Sequence, residues 1–291
     1  MIKLENDLLT VKVNELGAEL SSLQLNATKN EYLWQADAKI WGRHAPNLFP
    51  IVGRLHDNEY QYQGHKYQMT QHGFARDMTF KVVEQTTEMV KLQLTDNAET
   101  KAKYPFAFRF EVTYRLVDDQ LNITYHVMNP ADETLIFGMG GHPGFNLPMD
   151  AQHHFEDYQL EFNPQKTFNR KVLAGPFVDF QQDTTFDGRQ ILQVRREDYQ
   201  NDAIILDLQQ TPFEIKLYDT QNQHGVVVKI DNAKYAGIWT KADVEAPFLC
   251  IEPWWGIADT TDATGNLVDK FGMTHLGAHD SVTGNYSIKI F

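Results

Sequence analysis

The side chains best able to do chemistry lie in four short stretches, each punctuated by glycine or proline. "FGMGGHPGFNLP", residues 137–148, sets His142 among glycines and two prolines. Glycine permits close approach and positive φ, while proline fixes chain direction and offers no N–H. Such a segment is either a surface bend in which His142 is incidental, or a loop that aims an imidazole into a pocket. "LCIEPWWGIAD", residues 249–259, ends an apolar run at Glu252 and follows it with Pro253, Trp254 and Trp255. A carboxyl group in that setting is partly desolvated, which raises its pKa and suits it to proton abstraction. The alternative is a strand-end glutamate capped by backbone amides. "NLFPIVGRLHDNEY" places Arg54 after Pro50 and Gly53, and "TQHGFARD" places His72 before a glycine. Taken singly, Arg54 and His72 read as surface groups. Trp254 reads equally as a pocket wall or as core.

Other chemistries lack their signatures. The chain has no GxGxxG, P-loop, HExxH or GxSxG pattern. His153 and His154 are adjacent and so lack the helical spacing of a metal-binding pair, and no spacing among the 11 histidines supports a metal site. Cys250 is the single cysteine, which excludes an intramolecular disulfide and a cysteine-rich metal centre. Inside an apolar run it packs rather than reacts. A net charge of −13 argues against nucleic acid and anionic membrane as partners. The opening "MIKLENDLLTVKV" has no continuous apolar stretch of the kind a signal peptide carries, and no run approaches the roughly 18 apolar residues that span a bilayer. The expectation is a cytoplasmic protein that handles neutral small molecules. Aromatic residues make up 12% of the chain, which fits strands as well as the walls of a sugar site.

The elements that must position these groups alternate with period two. In "FRFEVTYRL", Phe108, Phe110, Val112, Tyr114 and Leu116 point one way, while Arg109, Glu111, Thr113 and Arg115 point the other. Leu121, Ile123, Tyr125 and Val127 repeat the pattern after "VDDQ", which predicts a half-buried hairpin turning at Asp118 and Asp119. Further strands are expected at 9–13, 80–83, 90–94, 158–162, 213–217, 226–230, 238–240 and 248–251. "AETKAKYPF" offers one helical turn before Pro105, and little else has helical periodicity. The whole chain, residues 1–291, reads as one large antiparallel β sandwich with function on loops and strand ends.

Together "NLFPIVGR", "QHGFARD", "GGHPGFNLP" and "CIEPWWG", in that order over residues 47–256, resemble the aldose 1-epimerase (galactose mutarotase) family, particularly its LacX-like branch. Strand-like sequence on both sides extends the resemblance to the full chain. It implies an all-β fold, a large antiparallel β supersandwich, and an isomerase that acts on an aldose sugar without cofactor, metal or covalent nucleophile. By motif, Glu252 would take the proton from the C1 hydroxyl, and His142, on the other side of the C1–O5 unit, would protonate the ring oxygen. The C1–O5 bond opens to the aldehyde, the C1 end rotates, and reversed proton transfers close the other anomer. His72 and Arg54 would hold sugar oxygens, and Asp202 in "YQNDAIIL" would be a further sugar contact. A variant acting on hexose 6-phosphates would draw on Arg43, His44, Arg54 and Arg76. A carbohydrate-binding protein would keep the fold without turnover. A glycoside hydrolase would need a carboxylate partner for Glu252, and Asp259, which follows in "GIAD", has no motif to support that role.

Overall fold

The computed structural model describes residues 1–221 and 223–291. Arg109–Val117 and Gln120–Met128 form the expected hairpin, in register from Gln120↔Val117 to Met128↔Arg109. Asp118 turns the chain with φ 53°, a left-handed conformation that aspartate tolerates better than most residues. Buried and half-buried positions alternate along both strands. Ser281–Ile290 pairs along the free edge of Gln120–Met128.

These strands are central to a nine-stranded sheet. Its order runs Leu192–Gln193, Tyr158–Asn163, Phe213–Asp219, Gly225–Ile230, Ser281–Ile290, Gln120–Met128, Arg109–Val117, Met89–Thr95 and Lys81–Gln85. An eight-stranded sheet runs Thr184–Asp187, Thr167–Lys171, Ile204–Asp207, Tyr235–Trp239, Phe248–Trp254, Gly140–Gly141 and Asn47–Leu48, with Gly144–Asn146 also paired to Phe248–Trp254. The ladders within both sheets are antiparallel. Leu217, Val228 and Ile123 from the first sheet and Leu206, Ile238, Leu249 and Ile251 from the second share one apolar cluster, so the sheets pack as a sandwich. The architecture is nearly all β. A short helix, Ala98–Lys103, forms where expected, capped by Asn97, whose side chain accepts from the Thr100 N–H. Among the described residues no helix is long and apolar enough to cross a membrane.

Two segments that carry the site differ from their sequence reading. The strand expected to stop before Glu252 continues through it to Trp254, buried at all seven positions. Pro253 reads as a breaker, but Tyr235–Trp239 pairs with Cys250–Trp254, with Gly237 opposite Glu252 and Ala236 opposite Pro253. The glycine-rich stretch, read as a loop, instead supplies Gly140–Gly141 and Gly144–Asn146 to the sheet. A Cβ on Gly140 would lie 2.9 Å from the Trp254 ring, so this glycine serves close packing rather than a turn.

Candidate active site

Strand pleating decides which groups meet. Along Phe248–Trp254, Leu249 and Ile251 face the shared core, while Cys250, Glu252 and Trp254 face the other side of the eight-stranded sheet. The neighbouring chain pairs at Gly140↔Trp254 and at Gly144↔Cys250. Counting inward from both ends, His142 lies directly across from Glu252, where the ladder is interrupted. Cross-strand neighbours at such positions touch, and His142 Nε2 is 3.1 Å from Glu252 Oε2.

A cavity of about 380 Å³ opens on this face, within the range of small-molecule sites. All six residues expected at the site, Glu252, His142, Arg54, His72, Asp202 and Trp254, line it. Glu252 is 1% exposed and His142 7%. The Trp254 Nε1–H donates to Glu252 Oε2 at 3.1 Å. Burial pushes the Glu252 carboxyl well above the usual carboxylate range, with Asp202 adding to the rise and the Trp254 N–H opposing it. Burial likewise pulls His142 down to about 3. Both shifts favour neutral partners, so the pair holds one proton between Oε2 and Nε2.

His72 and Gly53 bind each other twice. The His72 N–H donates to the Gly53 carbonyl at 2.9 Å, and the Gly53 N–H donates to His72 Nδ1 at 3.1 Å. The ring is neutral, because burial, and then the nearby His142, push its pKa well down. With Nδ1 accepting, its proton sits on Nε2. His72 has φ 66°, and the ring meets His142 edge-on at 5.5 Å between centroids. Gly73, at φ 74°, has no substitute: a Cβ there would lie 2.2 Å from the Phe49 carbonyl oxygen. The first two motifs are therefore one structural unit.

Arg54 extends over the exposed side of the cavity, its Nε–H donating to Gln71 Oε1 at 3.2 Å. Its carbonyl accepts from the Asp259 N–H at 2.9 Å, and Asp259 Oδ2 accepts from the His56 N–H at 3.0 Å. Asp259 Oδ1 is paired with the buried Lys270 ammonium at 3.0 Å. Asp259 is thus a clamp on the Arg54 segment. It is not among the cavity residues, so it does not supply Glu252 with the carboxylate partner that hydrolysis needs. Asp202 stands at the exposed rim with φ 71°, its Oδ1 accepting from the Ala203 N–H. The surrounding walls raise its carboxyl above the usual range.

Further residues line the same cavity, among them Trp41, Trp239, Gln71 and Arg76. The Trp41 ring lies 5.0 Å from that of His142, and Trp239 meets His142 edge-on at 5.7 Å. Trp239 was findable, because the pairing of "YAGIW" with "LCIEPW" sets it opposite Cys250. Trp41 carries no such signal. Of the four cationic candidates for a phosphate, Arg54 and Arg76 line the cavity. Arg43 is instead paired with Asp77 at 2.6 Å, and His44 faces Glu19 at 4.0 Å. Among the described residues, one group of metal-binding donors does converge: His142, Cys250 and Glu252 offer atoms within 4.8 Å of one another.

The aldose 1-epimerase family model matches residues 1–269, and the chain belongs to that family. The plasmid and chromosomal LacX proteins of Lactococcus lactis subsp. lactis are each 29% identical over 99% of both chains. The structure superposes on a galactose mutarotase related enzyme from Lactobacillus acidophilus with a TM-score of 0.98 and 39% identity, covering 100% of this chain and 97% of the other. It superposes on a galactose mutarotase-like protein from Lactobacillus casei with a TM-score of 0.91 and 31% identity, covering all of both chains. The fold is therefore galactose mutarotase-like.

Proposed function

We propose that the cavity interconverts the α and β anomers of an aldohexose, with Glu252 and His142 as a proton-transferring couple and no cofactor. The observation that carries this reading is the buried 3.1 Å contact between them, at the floor of a sugar-sized cavity. The two groups adjoin rather than flank the C1–O5 unit, and the chemistry suits that arrangement. The C1 hydroxyl oxygen and the ring oxygen are both bonded to C1, so one adjoining pair reaches both.

Proton bookkeeping then closes over a cycle. In ring opening, carboxylate Glu252 takes the C1 hydroxyl proton while the imidazolium of His142 gives its proton to the ring oxygen as C1–O5 breaks. The open-chain aldehyde is left facing a neutral carboxyl and a neutral imidazole. After rotation about C1–C2, Glu252 returns a proton to the aldehyde oxygen. His142 removes the proton from the C5 hydroxyl as its oxygen attacks C1, and the other anomer forms. The pair holds one proton throughout. Burial favours its neutral arrangement, and a single transfer across the contact gives the charged one. Arg54, His72 and Asp202 would hold sugar oxygens, and Trp254 would orient Glu252. A positioned acid or base contributes about 10²–10⁴-fold, sufficient for a reaction that already proceeds in water.

Polarimetry of freshly dissolved α-D-glucose and α-D-galactose tests the reading. Faster decay of rotation with the protein is expected, and sugar binding with no acceleration would make the chain a carbohydrate-binding protein instead. The presence of Arg54 and Arg76 at the cavity supports a second substrate, a hexose 6-phosphate. A kcat/KM for glucose 6-phosphate far above that for glucose would select it.

A further inference from the structure

The proposed proton chemistry leaves one buried group unused. Cys250 and Glu252, two residues apart on one strand, share a face, and His142 lies across from Glu252. The Cys250 sulfur, a His142 ring nitrogen and a Glu252 carboxyl oxygen are all within 4.8 Å of one another, and all three residues are buried. From this convergence we infer that Cys250, His142 and Glu252 form a binding site for a thiophilic divalent cation of the zinc type, and that the cation inhibits the protein.

The donor set is one sulfur, one imidazole nitrogen and one carboxylate oxygen, each a zinc ligand type. Tetrahedral zinc, with bonds of about 2.0–2.3 Å, sets neighbouring donors roughly 3.2–3.6 Å apart. The His142–Glu252 separation of 3.1 Å already matches. The other separations, at most 4.8 Å, need closure of about an ångström. His142 and Glu252 border the cavity, which leaves room for water as a fourth ligand and a path for entry.

His142 Nδ1 supplies a second, independent observation. It is buried and, among the described residues, has no hydrogen-bond partner, in a side chain more than nine-tenths buried. The ring is held instead by Trp41, His72 and Trp239, with Nε2 turned to Glu252, so it meets the other two donors without a side-chain anchor on Nδ1. Resident metal sites usually anchor their histidines through the second nitrogen, and the lack of that anchor marks this site as labile. On binding, the Cys250 thiol proton and the proton shared by Glu252 and His142 leave to solvent, so the cation is held by thiolate, carboxylate and neutral imidazole. Those last two groups are then no longer available for proton transfer. The inhibition rests on the proposed reaction, whereas the binding does not.

The test uses the full chain stripped with chelator and titrated with Co²⁺ as a spectroscopic stand-in for Zn²⁺. A near-ultraviolet thiolate-to-cobalt band, tetrahedral visible bands and displacement of both by Zn²⁺ are expected. Cys250→Ala should abolish the thiolate band, weaken Zn²⁺ binding by at least about tenfold, and turn over sugar normally while resisting Zn²⁺. Cys250→Ser is expected to behave likewise. Absence of the thiolate band in the wild-type protein overturns the inference without reliance on any variant, as does equal Zn²⁺ inhibition of wild type and a folded Cys250 variant. A thiolate band in a protein that turns over no sugar would sustain the site and defeat only the proposed reaction.

Discussion

Among the described residues, two cross-strand histidine–glutamate pairs occur, one in each large sheet, with nearly the same separation and opposite behaviour. In the nine-stranded sheet, His126 pairs opposite Glu111, with Nδ1 3.2 Å from Oε2. In the eight-stranded sheet, His142 lies across from Glu252 at 3.1 Å. Both carboxyls feel burial, which raises a carboxyl pKa. At Glu111 that effect is outweighed by bonds from Gln93 and His126 and by the Arg109 charge, and the carboxyl lies below its usual range. At Glu252 a single indole N–H opposes burial, and the carboxyl lies well above it. The first pair is a hydrogen-bonded pair on a half-wet face. The second is a pair in which burial keeps the proton on Glu252 and leaves His142 neutral. Residue type and distance do not separate a structural pair from a reactive one, whereas water and the number of additional donors do.

The sharpest way to break this contrast is at the buried pair. His142→Asn should lower kcat for mutarotation by about 10²–10⁴-fold while the circular dichroism spectrum stays native. A fall of less than about tenfold would remove His142 from proton transfer.

A second buried pair sharpens the comparison. Lys270 and Asp259 are as secluded as Glu252, but Asp259 also accepts the His56 N–H, and the Lys270 ammonium also donates to the Ile257 carbonyl. Lys270→Met strands the Asp259 charge and should cost about 3–5 kcal/mol in denaturant unfolding. It should also raise KM more than it lowers kcat, because Asp259 clamps the Arg54 segment. An unchanged midpoint would contradict this.

Trp254→Phe keeps a ring between Gly140 and Gly237 and removes the one donor to Glu252. A loss of roughly tenfold in kcat is expected, with a still higher Glu252 pKa. That pKa is visible in the pH profile. The pair carries one proton from about 3, where His142 takes up a second, to the raised value of Glu252, where the last is lost. Activity should therefore be flat across that interval, falling below about 3 and falling above the Glu252 value. Trp254→Phe should move the alkaline limb upward. A bell whose acid limb lies near the ordinary histidine value of 6.5 would contradict the shared proton.

Much of this was readable in the sequence because alternation and burial are local. The 109–128 hairpin follows from period two, and the seclusion of Glu252 follows from the apolar run before it and the tryptophans after it. Register across chains is not local. Pro253 and the glycines of 137–148 signal a strand end and a loop by propensity. Pairing with Tyr235–Trp239 carries the strand past the proline, and the bulk of Trp254 demands Gly140. That is why the two groups meet face to face, and why the pairing of Trp239 with Cys250 sets its ring beside His142.

The most direct measurement places the two glutamates side by side. Polarimetric decay of α-D-glucose and α-D-galactose would be followed with wild type, Glu252→Gln and Glu111→Gln. The account predicts acceleration by wild type, loss of about 10²–10⁴-fold in Glu252→Gln, and near-wild-type turnover in Glu111→Gln with stability reduced by less than about 1 kcal/mol. Turnover that survives Glu252→Gln would contradict it.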